Sequence, residues 1–510
     1  MNGLSLSMIV KDEEEFLGEC LESVRDAVDE MVIVDTGSTD ATVRIAEEAG
    51  ARVIRETWNG DFSSMRNRSL EACRGEWILY LDADERLAGG QSTKLAGLLE
   101  NPRADAYQVL VRSVLSLEGG KRVVQVMPYP RIFRRKDGVR FERQIHEQIA
   151  PSILRSGGKI VPSDIIIEHL GYERGFEVLK HKIQRNLGTL LALVERDSRD
   201  WYSRFQIARS FMLVQDYPAV VHHARAAIRI PGVPNAVVSA LHNLLAEAAL
   251  KTRNVGQAIH HCEKSLSLYP QQAGAMWFLA GAFMTQGNPR PAIPVLEKLC
   301  ALVSAKEQAP AELGDIVIPL DAVKEALGRC YFAIGSWERA ADAFATALQV
   351  NPSTPGASER LINALQKLGG QDVVLRCLRS ATDGGTKDTR LLSYRAMIEN
   401  ESGDARNAVA TLDRVLALKP LDTTALTWKA LWSLRGRDFS TAASVIRIAE
   451  EHEVMTDDLT RCAFELAVQE NRFTEALARL ESIESSFSPE DFAALRSKVE
   501  RLAKRASPFR

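Results

Sequence analysis

Glycine recurs at a fixed interval in the C-terminal half of this 510-residue chain: Gly335, Gly369 and Gly403 stand 34 residues apart. Ala340, Ala408, Ala442 and Ala476 share one register at multiples of 34, and Ala258 and Ala292 are also 34 apart. Tyr269-Pro270, Asn351-Pro352 and Lys419-Pro420 each place a proline twelve residues after such an alanine. A unit of this length is one helix pair that cannot bury its apolar face alone, so successive units must stack into an α-helical solenoid. Its small residues stand where paired helices approach closely. About eight units fit between Trp201 and Ala506, one of them stretched by "SAKEQAPAELGDI".

The first half follows other periods. Up to about residue 100, strand-like runs ("LSLSMIV", "MVIVDTGS", "ARVIRE", "WILYLDADE") alternate with helical patterns ("EEFLGECLESVRDAV", "DATVRIAEEAG", "SSMRNRSLEACRG"). This order predicts a parallel sheet with helices on both faces, in which ligands sit beyond the carboxyl ends of the strands. Lys11, Asp12, Asp35 to Thr39 and Asp82 to Glu85 then share one rim. From Asp105 to His169 the pattern is β-rich, with a hairpin expected at Gly119-Gly120 and separate pieces "KRVVQVMPY" and "RIFRR". The fold class is therefore α/β followed by all-α. The expected division is a Rossmann-like α/β domain over 1–172, a helical linker over 173–200 and the solenoid over 201–506.

A net charge of −3 gives no general attraction to nucleic acid or acidic lipid, so no nucleic-acid partner is expected. The seven cysteines are scattered without a C-x-x-C pair, as expected of free thiols in a reducing compartment. No apolar run reaches membrane-spanning length, and "MNGLSLSMIVKDEEE" lacks the charge and apolar order of a secretory leader. These features place the chain in the cytoplasm.

The apolar run "WILYLDADE" ends in three carboxylates. Two acids separated by one residue offer oxygen donors suited to Mg²⁺ or Mn²⁺, although D-x-D alone fits a solvated strand end equally well. Its company is more informative. "SLSMIVKDEEEFLGECLESV", "EMVIVDTGSTDAT" and "DFSSMRNRSLEACRGEWILYLDADE" resemble, in order and spacing, the nucleotide-binding half of family 2 glycosyltransferases of the GT-A fold. The resemblance continues more loosely through "PRIFRRKDGVRFERQIHEQI" and "IIIEHLGYE" to Glu173. In the second half, Asp321 to Pro352 is similar to the tetratricopeptide consensus, with Leu327, Gly328, Tyr331, Ala340, Phe344, Ala347 and Pro352 at its offsets.

The resemblance implies roles residue by residue. Asp35 matches the acid that accepts from the uracil ring N–H, a contact a carboxylate can make; a strand-end turn residue is the alternative. Asp12 or Glu13 would hold base or ribose, or serve as acids at a helix N-terminus. Asp40 is read as a helix cap. Arg66, with Asn67, matches the arginine-asparagine pair before the D-x-D strand and would donate to the nucleotide, whereas Arg68 reads as an exposed charge. Asp82 would meet ribose or sugar hydroxyls and Asp84 the metal, with His169 as a second ligand. Inversion at the anomeric carbon needs one general base; Glu147 in "QIHEQI" takes that role, with His146 and Glu85 as rivals. The basic set Arg131, Arg134, Arg135, Lys136, Arg140 and Arg143 reads mainly as a solvated face.

The resemblance therefore implies a metal-dependent (Mn²⁺ or Mg²⁺) inverting transferase of the hexosyl- or N-acetylhexosaminyltransferase class, with a nucleotide-diphosphate sugar, UDP-linked, as donor. The repeats favour a polypeptide acceptor over a saccharide or lipid-linked one, and leave a homodimer open. A non-catalytic repeat scaffold with a decayed transferase half is the remaining reading. Every catalytic part named lies before Glu173, so the repeats are expected to hold the acceptor and take no part in the chemistry.

Overall fold

The computed structural model describes residues 3–116, 122–171, 176–305, 315–316 and 318–506. The expected turn at Gly119-Gly120, Glu173 and most of "SAKEQAPAELGDI" lie outside them. The chain divides into two compact units, Met1–Pro319 and Leu320–Arg510. The change from strands to helices, which set the expected boundaries at 172 and 200, thus falls inside the first unit, and the first helix pairs share a unit with the sheet.

The first unit opens with alternating strands and helices: β1 (Leu4–Val10), α1 (Leu17–Val24), β2 (Glu30–Asp35), α2 (Thr42–Glu48), β3 (Arg52–Arg55), α3 (Phe62–Ala72) and β4 (Trp77–Tyr80). The short β5 (Glu85–Leu87) and α4 (Gln91–Glu100) follow, then β6 (Ala106–Ser116), β7 (Arg122–Arg134), α5 (Ala150–Arg155) and β8 (Ile160–His169). The sheet order is β3-β2-β1-β4-β7-β6-β8-β5. The first four strands are parallel, β7 is antiparallel to β4 and to β6, and β8 is parallel to β6. Two reversals cancel, so β8 runs in the direction of β4 and its last residue, His169, emerges at the same edge as Asp82. The order also turns back between β1 and β4, which is where such sheets open a crevice for ligands.

β4 is apolar on both faces because both are covered. Trp77, Leu79 and Leu81 join the core beneath α1 with Leu6, Met8, Leu17 and Leu21, while Ile78 and Tyr80 join that beneath α3 and α5 with Leu70, Phe133, Phe141 and Ile153. β7 runs unbroken through Pro128 and Pro130, where prolines suggested two pieces. A proline cannot donate to a ladder, but β4 pairs only with residues 132–134 of β7. All seven cysteines are free thiols, and no helix among the described residues is long and apolar enough to cross a membrane.

Helices follow from residue 176 on. After α6 (Phe176–Arg196) come three pairs in the first unit: α7 (Trp201–Leu213) with α8 (Tyr217–Ile228), α9 (Asn235–Lys251) with α10 (Val255–Leu268), and α11 (Ala273–Thr285) with α12 (Ala292–Ser304). The stretched repeat ends in a strand the sequence did not suggest, β9 (Asp315–Ile316), paired with β7. The second unit holds five pairs: α13 (Leu320–Ala333) with α14 (Trp337–Val350), α15 (Ala357–Leu365) with α16 (Gln371–Thr382), α17 (Thr389–Glu401) with α18 (Ala405–Leu418), α19 (Thr423–Arg435) with α20 (Phe439–Glu451), and α21 (Asp457–Gln469) with α22 (Phe473–Ser482), then α23 (Pro489–Ala506). Eight such pairs lie among the described residues.

Each alanine of the 34-residue register is fully buried. Gly335 and Gly403 turn the chain within a pair at φ of +77° and +83°, but Gly369 does not adopt positive φ. At the equivalent turn, Arg253, Arg437 and Asn471 take φ of 59°, 60° and 59°. The repeat therefore specifies a left-handed conformation that glycine fills without strain and other residues fill at some cost. Gly403→Ala is expected to lower stability by about 1–2 kcal/mol, whereas Gly369→Ala should leave it unchanged or slightly raised. Urea denaturation of the two variants would check the contrast.

Candidate active site

The site is built on the end of β4. Leu81 is still buried, and the chain then turns so that Asp82, Ala83 and Asp84 cross the sheet edge. Both oxygens of Asp82 are held by arginines from different elements. Arg66, on α3, donates to Oδ1, and Arg131, on β7, approaches Oδ2 at 3.4 Å. Arg66 also pairs through Nε with Glu147, and Arg131 with Glu85. Tyr80 lies between the guanidinium groups, 5.2 Å from Arg66 and 4.4 Å from Arg131. Two buried cations thus organise three carboxylates around one ring.

Burial by itself pulls both guanidinium pKa values down, but the neighbouring carboxylates more than reverse this and hold them above the ordinary range. Burial pushes the Glu85 carboxyl up, against the pull of Arg131, and the Tyr80 phenol up to about 12. Glu85 is 1% exposed; one oxygen is engaged by Arg131 and the other accepts from the Asp82 N–H at 2.9 Å. It holds the strand end and cannot meet an acceptor, which removes it as a rival base. Arg131 corrects the expectation of a solvated basic face. Arg134 and Lys136 are paired with Glu76 and Asp105. The signal for Arg131 was present in "YPRIF": an arginine inside an apolar strand needs a buried partner.

Asp84 and His169 meet at the rim. The His169 Nε2 lies 3.5 Å from Asp84 Oδ2, and both side chains are mostly buried. The Leu170 N–H donates to the Asp84 carbonyl at 2.9 Å. A Cβ on Gly171 would run into the Asp84 carboxylate as it stands, so a larger residue there would force that side chain out of its present position. A carboxylate oxygen is the donor that Mn²⁺ and Mg²⁺ prefer, and of the two Mn²⁺ accepts an imidazole nitrogen more readily. No group of three or more His, Cys, Asp or Glu gathers for a metal among the described residues; an ion held by Asp84 and His169 would have to take its remaining ligands from substrate and water.

The loops after β1 and β2 lie beside this edge and are laced together. Asp12, at φ +52°, accepts from the Thr39 N–H at 2.7 Å, and the Asp12 N–H donates to Ser38 Oγ at 2.9 Å. The Glu13 N–H donates to Thr42 Oγ1 at 2.7 Å. Asp35 is 4% exposed and accepts from the Gly37 and Ser38 N–H groups at 3.1 and 3.2 Å, so its carboxylate shapes its own turn. Asp40 accepts from the Thr42 N–H at 2.9 Å just before α2, but the cap position itself is taken by Ala41, so Asp40 closes a turn ahead of the helix and does not cap it. Arg68 is exposed and pairs with Glu56.

His146 and Glu147 sit in a loop closed by reciprocal backbone hydrogen bonds between Glu142 and Gln148. The Asn67 side chain fastens this segment to α3 through both the N–H and the carbonyl of Phe141, so Asn67 is a structural clamp. The structure therefore gathers Arg66, Asp82 and Glu147 in one network with Arg131 and Glu85, and Asp84 with His169. It places Asp12, Glu13 and Asp35 in the adjoining loops.

Residues 5–156 match the family described as Glycosyl transferase family 2, and residues 243–310 match the tetratricopeptide repeat. The chain joins a family 2 glycosyltransferase domain to tetratricopeptide repeats. A TPR repeat-containing protein of Synechococcus elongatus is 43% identical over 157 residues, which is 30% of this chain and 37% of that protein. An uncharacterized glycosyltransferase of Rickettsia felis is 35% identical over 107 residues (21% and 38% of the two chains). The SPbeta prophage-derived glycosyltransferase SunS of Bacillus subtilis is 26% identical over 190 residues (36% and 43%). The chain thus spans well under half the length of these relatives. Within the family 2 domain, Arg131→Met would leave Glu85 buried without its cation and should cost about 3–5 kcal/mol. Adding Glu85→Gln should recover much of that loss, as thermal unfolding of the single and double variants would record.

Proposed function

We propose that this family 2 domain is a metal-dependent inverting glycosyltransferase that moves a hexosyl or N-acetylhexosaminyl group from a UDP-sugar to a side chain of a polypeptide held by the repeats. The observation that carries the reading is the pairing of Asp84 with His169 at the edge where β4 and β8 both end, with Gly171 passing close over the carboxylate. We further assign residues 1–172 to the transferase, 173–200 to a helical linker and 201–506 to the repeat array, in a cytoplasmic protein.

In this reading Asp35 and the Asp12–Glu13 loop receive the base and ribose, which requires Asp35 to trade one turn contact for the uracil N–H. Arg66 and Arg131 fix the carboxylate of Asp82, so its remaining lone pairs face sugar or ribose hydroxyls in one orientation. A bound Mn²⁺ or Mg²⁺ would neutralise charge building on the departing diphosphate, held by Asp84 and His169. The acceptor oxygen or sulfur attacks the anomeric carbon from the face opposite UDP, the bond from that carbon to the diphosphate oxygen breaks, and Glu147 takes the acceptor's proton. Arg66 restricts the rotamer of Glu147, and His146 beside it is the rival base. Intact Asp35, Arg66, Asp82 and Asp84 speak against a decayed scaffold.

UDP with Mn²⁺ should raise the melting temperature of the full chain, and EDTA should abolish that shift. Asp84→Ala should remove the metal-dependent part while the apo protein melts as before. Wild-type turnover that survives thorough EDTA treatment would refute the metal role. Glu147→Gln should keep UDP binding and lose about 10²–10⁴-fold in the chemical step; a loss below threefold would pass the role to His146.

A further inference from the structure

The loop that carries His146 and Glu147 does not rest on the sheet domain alone. The Tyr202 hydroxyl, from the first turn of α7, donates to the His146 carbonyl at 3.3 Å and accepts from Gln148 Nε2 at 2.8 Å. The same Gln148 amide donates to the carbonyls of His146 and Glu147 at 3.3 and 3.1 Å. One phenol and one amide therefore tie down two successive peptide groups that flank the proposed base.

Two further contacts converge on the loop from the same helices. Arg143 donates through Nη1 to both oxygens of Asp200, at 3.1 and 3.0 Å, and its guanidinium lies 4.4 Å from the centre of the Tyr202 ring. Asp200 in turn caps α7 by accepting from the Ser203 N–H at 3.0 Å. Ile145 is buried among Ile183, Leu187, Leu190 and Val194 of α6 and Ile207 of α7. The loop backbone needs such support. Arg143 and His146 stand at φ of +82° and +52°, where residues other than glycine are held only if the surroundings over-determine them.

We propose that Tyr202 is a positioning residue for Glu147, so that the first helix of the repeat region forms part of the catalytic apparatus. This rests on Glu147 being the base, as read above. It revises the expectation that every part needed for chemistry lies before Glu173: a cut at Asp200 would remove Tyr202 and Ile207 and release the loop. The mechanism is geometric. A base displaced by about 1 Å can lose about 10²-fold in rate, and Tyr202 fixes the peptide group before this one directly and the one after it through Gln148.

The test uses the full chain with Mn²⁺ and, as probes, UDP-glucose and UDP-N-acetylglucosamine, with hydrolysis read as UDP release. Tyr202→Phe keeps the ring under Arg143 and removes the hydroxyl with its hydrogen bonds to His146 and Gln148; Gln148→Met removes the amide's hydrogen bonds to Tyr202 and to the His146 and Glu147 carbonyls. Each should lower kcat about tenfold or more, leave donor KM and UDP affinity within about twofold, and speed amide exchange over residues 142–148. In a Glu147→Gln background, Tyr202→Phe should cause no further loss, because it acts through the base. Unchanged kcat and unchanged exchange in both variants would overturn the proposal, as would an equal loss in the Glu147→Gln background. Wild-type turnover in Glu147→Gln itself would instead refute the base assignment and with it the link to Tyr202. If neither sugar is hydrolysed by the wild-type protein, exchange over 142–148 decides: acceleration supports the proposal and no change overturns it.

Discussion

Asp82 is the point on which the catalytic half turns. A carboxylate at the end of a buried strand is costly to desolvate, and here Arg66 reaches it from α3 while Arg131 reaches it from β7. Each arginine then needs a second anion, which Glu147 and Glu85 supply. The chain of charges fixes four segments relative to one another: the D-x-D turn, the helix before it, the central antiparallel strand and the loop with the proposed base. Removing one member leaves another uncompensated in a poorly solvated place, so the network is a better device for position than for net stability. Tyr80 fits the same logic, since its ring faces both cations and takes up the space that water would otherwise claim.

What could be read in the sequence follows from how far each signal reaches along the chain. The parallel sheet was legible because "LSLSMIV", "MVIVD" and "WILYL" carry their own burial pattern, and the order of strands and helices restricts the connections. The repeats were legible because small residues recur. The path of β7 was not, since prolines argue against a strand wherever its partner strand is unknown. Arg131 was misread with its basic neighbours because its partner, Glu85, belongs to a three-residue strand too short to announce itself. Tyr202 gave no signal at all: its hydroxyl meets one backbone carbonyl and one side-chain amide, and nothing in residues 142–148 states which helix will cover them.

The glycine register teaches a related lesson. Gly369 keeps the interval without the conformation, and Arg253, Arg437 and Asn471 keep the conformation without the glycine. The repeat is selected at the level of backbone shape, and residue identity follows it only where the side chain has nothing else to do. The alanines keep their register more closely, with Val374 as the buried exception between Ala340 and Ala408.

The short strand β9 has a consequence for how the first unit assembles. It pairs with residues 125 and 126 of β7, well beyond the part of that strand covered by β4. This stretch of edge is completed by a segment translated only after three helix pairs have been made. A nascent chain emerging in order therefore displays an open strand edge while α6 to α12 form, and such edges invite pairing with the wrong partner. Closure of the sheet is delayed until the stretched repeat arrives, so an insertion that looks like an irregularity in the array acts as the last stitch of the sheet.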